Sequence, residues 1–175
     1  HWLLKVKEMG FSGVNNFPTH CIVDGQFREV LEETGMSFAK EVEMVALASK
    51  MDLFSIVYVA KAEEAEAMAK AGADVVIAHV GTTVGGSIGV SGAACGMDDV
   101  VARCQVIFDA ARAVNPKVFL LTHGGPINTP ADAAHVIANS DAQGFVGASS
   151  LERMAVEESL TNLTREFKAI GKSEG

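Results

Sequence analysis

An α/β fold of the (β/α)8 barrel class, represented by its last five βα units, is what this sequence predicts, and three observations carry the prediction. Short apolar runs alternate five times with helical patterns. The runs have hardly a polar interruption, as befits parallel strands covered by helices. Polar and glycine-rich stretches follow the third, fourth and fifth runs, and a barrel gathers its functional groups at such C-terminal strand ends. A doubly wound open sheet would place G-x-G-x-x-G after its first strand. Here that strand ends in Asn15-Asn16-Phe17-Pro18.

Phe11 to Phe17 reads as the first strand, stopped by Pro18. Two helices follow, Gln26 to Thr34, closed by Gly35, and Ser37 to Lys50. Leu53 to Ala60 is the second strand, and Glu63 to Ala71 its helix, closed by Gly72. Asp74 to Val80 is the third strand; a long glycine-rich loop leads from it to a helix over Asp98 to Val114. Lys117 to Thr122 is the fourth strand, and Thr129-Pro130 opens the next helix. Gly144 to Ala148 is the fifth strand, and the last helix runs from Ser150 to Ile170. The chain opens on His1-Trp2, without Met and inside an amphipathic pattern. The expectation is therefore a C-terminal part of one barrel domain, spanning 1–175, with three N-terminal units absent. Such a piece would expose two strand edges, invite self-association and lack activity by itself.

With 49% apolar and 21% charged residues, the 175-residue chain reads as globular rather than disordered. A net charge of −8 argues against nucleic acid and against an anionic membrane as partners. No apolar run is long enough for a span and no signal peptide is visible. Cys21, Cys95 and Cys104 match no zinc spacing and read as reduced thiols of a cytoplasmic protein.

His79 and His123 close the third and fourth strands, each soon followed by glycine. Neutral imidazoles there can serve as base, hydrogen-bond donor or metal ligand. His1, His20 and His135 have no such position. Gly124-Gly125 after the fourth strand, and Ser149-Ser150 after the fifth, are candidates for phosphate or carboxylate binding through backbone N–H and hydroxyl groups. Ser149 with Glu152, and Thr129 with Asp132, have capping-box spacing. The stretch Gly81-Thr82 through Gly85-Gly86 and Gly92 to Gly96 suggests a mobile lid or cradle, but no P-loop. Of Glu41 and Glu43 at most one can point inward, since residues two apart do not share a helix face. Asn15 or Asn16 faces the barrel mouth, where a buried amide needs partners. Asp24 with Arg28 could frame an anion pocket, and Lys61 is the one Schiff-base candidate; turn and helix-start roles compete with both.

Several strings occur together and in order: Gly13-Val14-Asn15-Asn16-Phe17-Pro18-Thr19, Asp24-Gly25-Gln26-Phe27-Arg28, Leu31-Glu32-Glu33-Thr34-Gly35-Met36, Glu41-Val42-Glu43-Met44, Ala71-Gly72-Ala73-Asp74, His123-Gly124-Gly125-Pro126-Ile127 and Gly144 to Arg153. In that set the chain resembles the phosphoenolpyruvate hydrolase-like family of TIM-barrel proteins, and also the C-terminal domain of plant proteins of the tobamovirus-resistance type. His20-Cys21 departs from the small or apolar pair expected after Thr19. The resemblance implies a hydrolase or lyase acting with Mg2+ on a small phosphorylated or phosphono keto acid. The partner expected is a small anionic metabolite, and the protein is expected to be a cytoplasmic homo-oligomer. His123 would polarise or protonate the reacting oxygen, His79 would be the second acid–base group, and Glu43 would hold a metal-bound water. Gly124, Gly125, Ser149 and Ser150 would hold the phosphoryl group, with Arg153 as a further anion partner and Asn16, Gly81, Thr82, Gly85 and Gly86 lining the pocket. The metal ligands themselves are expected in the absent N-terminal part. The competing expectation is a non-catalytic barrel that binds a metabolite and signals; a third is a metal hydrolase with His79 and His123 as ligands.

Overall fold

A computed structural model describes residues 2–91 and 95–171. Gly92, part of the glycine-rich loop, and His1 lie outside the described residues. The elements are α1 (Trp2–Glu8), β1 (Gly13–Asn15), a 3-10 turn (His20–Ile22), α2 (Gly25–Glu33), α3 (Phe38–Lys50), β2 (Phe54–Val59) and α4 (Ala62–Ala71). They continue with β3 (Val75–His79), α5 (Met97–Val114), β4 (Phe119–His123), α6 (Pro130–Ala138), β5 (Gly144–Phe145), α7 (Ser149–Glu152) and α8 (Met154–Lys168).

The five strands form one parallel sheet in the order β1-β2-β3-β4-β5. Every crossover therefore advances one place in the same direction. A doubly wound sheet reverses its order at a switch point; this winding is that of a TIM barrel, present over five consecutive units.

Local chemistry explains the helices between the strands. Asp132 accepts from the Thr129 amide at 2.9 Å while the Thr129 hydroxyl accepts from the Asp132 amide, the reciprocal cap expected for α6. Helix α4 has Glu63 and Glu64 in its first turn and Lys70 in its last, matching the helix dipole, and closes on Gly72. One face of the sheet is covered by α3, α4 and α5. On that face Val57, Val59, Val76, Ala78, Leu120 and Thr122 are fully buried, against Ala48, Ala65, Met68, Val100, Cys104 and Phe108. Alternate residues point to the other face: Phe54, Ile56 and Tyr58 from β2; Val75, Ile77 and His79 from β3; Phe119, Leu121 and His123 from β4.

The terminal strands are shorter than the sequence suggests. The first spans Gly13–Asn15 rather than Phe11 to Phe17, and the fifth spans Gly144–Phe145 rather than Gly144 to Ala148. Each is hydrogen-bonded along one side only among the described residues, so its pairing is defined over fewer residues. The last helix is also corrected: it divides at Arg153 into α7 and α8. Ser149 lies inside the single turn of α7, whose cap is Ala148 with no side-chain bond, so Ser149 is not the predicted capping residue.

Among the described residues, apolar surface remains uncovered both on the second face of the sheet and on α8. Phe54 is 44% and Phe119 54% exposed, and α8 buries no residue although Val156, Leu160, Leu163 and Phe167 share a stripe. The 175-residue chain expressed by itself should sediment above its 18.4 kDa monomer mass in a concentration-dependent way. Phe119→Ser should reduce that association; a monomer at all concentrations would show that this face is satisfied.

Candidate functional site

The C-terminal ends of β2, β3 and β4 bring three rings together. His79 and His123 are register partners on adjacent strands, with ring centroids 5.0 Å apart. Tyr58 presents ring edges to both, at 5.9 Å from His79 and 5.2 Å from His123. All three are buried, with 6% exposure for His79 and 8% for His123. The two histidines singled out from the sequence are thus assembled as one unit. Tyr58 was missed, though its place two residues after Ile56 puts it on the same face.

Backbone partners distinguish the two imidazoles. His123 Nδ1 lies 2.7 Å from the Val146 carbonyl, which can only accept, so Nδ1 carries the proton. His79 Nδ1 accepts from the Gly81 amide at 3.2 Å, so in the neutral ring Nε2 carries the proton. Burial pushes the His79 pKa down from its ordinary 6.5 to about 4, with the neighbouring His123 next in effect, followed by the smaller opposing pull of a backbone hydrogen bond and a contribution from Arg103. His79 is accordingly neutral at physiological pH. Neither Nε2 enters a hydrogen bond among the described residues. The pair therefore comprises one ring with an N–H at Nε2 and one with a lone pair there, their centroids 5.0 Å apart.

Tyr58 is held by a second network. Asn16, 5% exposed, continues the β1–β2 pairing with its side chain: Nδ2 donates to the Tyr58 carbonyl at 3.0 Å and Oδ1 accepts from the Tyr58 amide at 2.7 Å. Asn16 Nδ2 also donates to Glu41 at 2.7 Å, and the same carboxylate accepts from the Thr19 hydroxyl and the His20 amide, each at 2.7 Å. Asn16 is thereby committed to the scaffold. Asn16→Ala should cost about 2 kcal/mol or more in a urea titration, because the Tyr58 amide and carbonyl lose their partners.

Glu43 requires correction as the local carboxylate. It is exposed and paired with Lys40 at 2.7 Å, whereas Glu41 is the glutamate that reaches the strand ends. Arg28 is likewise spent, on buried Glu64 at 3.1 Å, and Glu64 in turn accepts from the Ala60 amide at 2.8 Å. Lys61 occupies the cap position of α4 and is exposed, which is its helix-opening role. Burial pushes the Cys21 thiol up to about 12 and raises that of Cys104 as well, which disfavours the thiolate form in both.

The loop devices expected to bind phosphate are largely used within the protein. The Gly125 amide donates to the Gly81 carbonyl at 2.7 Å, so it is not free for a ligand. Arg153 donates to the Gly85 carbonyl at 3.1 Å and pairs with Glu157 at 3.1 Å. Glu157 accepts from the Ser87 amide at 2.8 Å, and Asn128 donates to the Val84 carbonyl at 3.1 Å. These bonds tie the described part of the glycine loop to α8 and to the loop after β4. Thr82 and Gly86 are exposed, while Gly85, Ser149 and Ser150 are half-buried. Among the described residues no three His, Cys, Asp or Glu side chains gather as metal donors, so they do not by themselves fit Mg2+. No described helix is long and apolar enough to cross a membrane.

The phosphoenolpyruvate hydrolase-like family pattern matches residues 1–170. The chain is 44% identical over 171 residues to the ToMV susceptible protein tm-1(GCR26) of Solanum lycopersicum, covering 97% of this chain and 22% of that protein. The ToMV resistance protein Tm-1(GCR237) of the same plant matches equally, at 44% identity over 97% of this chain and 22% of its own length. The chain thus spans about a fifth of the length of these relatives. Among solved structures, an N-acetylmannosamine-6-phosphate 2-epimerase from Clostridium perfringens aligns with TM-score 0.45 and 14% identity over 73% of this chain and 47% of that one.

Proposed function

The chain belongs to the phosphoenolpyruvate hydrolase-like family, and from that premise we propose acid–base catalysis on a small phosphorylated or phosphono keto acid, centred on His79 and His123. One observation carries this reading: two buried imidazoles at matched register present a donor and an acceptor at the C-terminal face. His123 takes or returns the proton at Nε2, while His79 holds the reacting oxygen through Nε2–H. The remaining units of the barrel, the Mg2+ ligands and the phosphoryl-binding cations are supplied by parts of the longer protein outside this chain. The proposed setting is a cytoplasmic homo-oligomer.

The test is inorganic phosphate release from phosphoenolpyruvate and phosphonopyruvate by the complete protein with Mg2+. His123→Ala should lower turnover about a hundredfold or more. Unchanged turnover in both His123→Ala and His79→Ala would remove these roles. A second reading uses the same strand-end site without chemistry: a barrel that binds a metabolite and signals without turnover. Saturable binding of either compound without phosphate release would support it.

A further inference from the structure

Helix α8 buries none of its residues, yet its apolar side chains are ordered along it. Val156, Leu160, Leu163 and Phe167 follow one another at steps of four, three and four, and Ile170 continues the series by three. Each of the five is at least half exposed. Such steps leave a narrow seam of the coiled-coil kind, and the positions flanking it are polar: Glu157, Ser159, Thr164 and Glu166. The helices that cover the sheet are built differently. α5 buries Ile107 and Phe108 side by side with Val100, Cys104 and Ala111, and α4 buries Ala65, Met68 and Ala69. A face that covers a sheet is wide, whereas the α8 seam fits a single helix.

Charge selects that helix. The first half of α8 carries Glu157 and Glu158, and the second half carries Arg165 and Lys168 around Glu166. An antiparallel copy of the same helix sets each acidic half beside the basic-leaning half of the other and opposes the two helix dipoles. A parallel copy sets the acidic halves together. We propose that α8 pairs antiparallel with α8 of a second copy of this chain. This rests on the homo-oligomer reading above and names its contact. Leu160 packs beside Leu163 of the partner subunit, and Val156 beside Phe167 of the partner subunit. At the flanks Glu166 meets Ser159 of the partner subunit and Glu157 meets Thr164 of the partner subunit, so no like charges are opposed. A two-fold axis produces such a self-complementary contact. The start of α8 also holds the glycine loop, through Arg153 to the Gly85 carbonyl and Glu157 to the Ser87 amide, so the pairing braces that loop.

The test uses the complete protein. Under mild oxidation Ser159→Cys/Glu166→Cys should give about tenfold more covalent dimer than either single variant. Within one helix the two positions are about 10 Å apart, too far for a disulfide. The single variants account for Cys21, Cys95 and Cys104. In sedimentation equilibrium Leu160→Glu should raise the dimer dissociation constant about a hundredfold. Exchange of the Ser87 amide should slow about tenfold on dimerisation; equal rates in both states overturn the bracing. A double variant that cross-links no better than the singles overturns the pairing. If that protein still sediments as an oligomer, the homo-oligomer reading stands and its contact lies elsewhere. A monomeric parent overturns both and assigns the seam to a helix of the longer protein.

Discussion

Gly124→Ala is expected to cost about 3–5 kcal/mol of stability, enough to unfold a domain of ordinary stability at 37 °C. Gly124 has φ +82°, a conformation that a Cβ disfavours, and a Cβ built there would lie 2.2 Å from the Gly81 carbonyl oxygen. That oxygen is backbone, and it is fixed by accepting from the Gly125 amide. Neither loop can yield without breaking the contact between the β3 and β4 ends, and His79 and His123 stand at the base of those loops. Gly35 gives the comparison. It also has a positive φ, +82°, but nothing lies within 4 Å of its added Cβ. Gly35→Ala should cost about 1 kcal/mol. Urea midpoints of the two variants measure the difference; equal losses would show that the loop–loop contact contributes nothing.

The same contact illustrates what sequence could and could not convey. Gly81, Gly124 and Gly125 were recognisable as residues with a backbone role, but a glycine that admits a ligand and a glycine that admits another loop look alike in sequence. The second role is the one found. Arg153 is similar: its partners Gly85 and Glu157 join segments distant in the chain, and no periodicity encodes them. The strands were legible as near-continuous apolar runs and the helices by their apolar faces, and His79 and His123 because they close such runs. Glu41 was legible in principle. Phe38, Val45 and Ala48 are the buried residues of α3, and a glutamate three after Phe38 and four before Val45 shares their face, while Glu43 does not. Tyr58 had a comparable signal, a polar-tipped ring two residues after Ile56 in a largely apolar strand.

His79 should also make the fold sensitive to mild acid. Its pKa is near 6.5 in the unfolded chain and about 4 in the folded one, chiefly because burial disfavours the charged ring. Between those values the unfolded chain binds more protons at this site, so stability rises with pH across the window. The contribution is fully present above pH 6.5, falls as pH drops toward 4, and changes no further below that. At about 1.4 kcal/mol per pH unit, the displacement corresponds to about 3 kcal/mol. His79→Phe keeps an aromatic ring beside Tyr58 and His123 and removes the titration. Urea midpoints at pH 7.5 and pH 5 should therefore converge in the variant relative to the parent, since most carboxylates titrate below that range. An undiminished pH dependence in His79→Phe would assign the acid sensitivity elsewhere and would mean that His79 is not held neutral by the fold. The donor role of its Nε2–H would then fall as well, because a charged His79 would stand beside the base it is meant to assist.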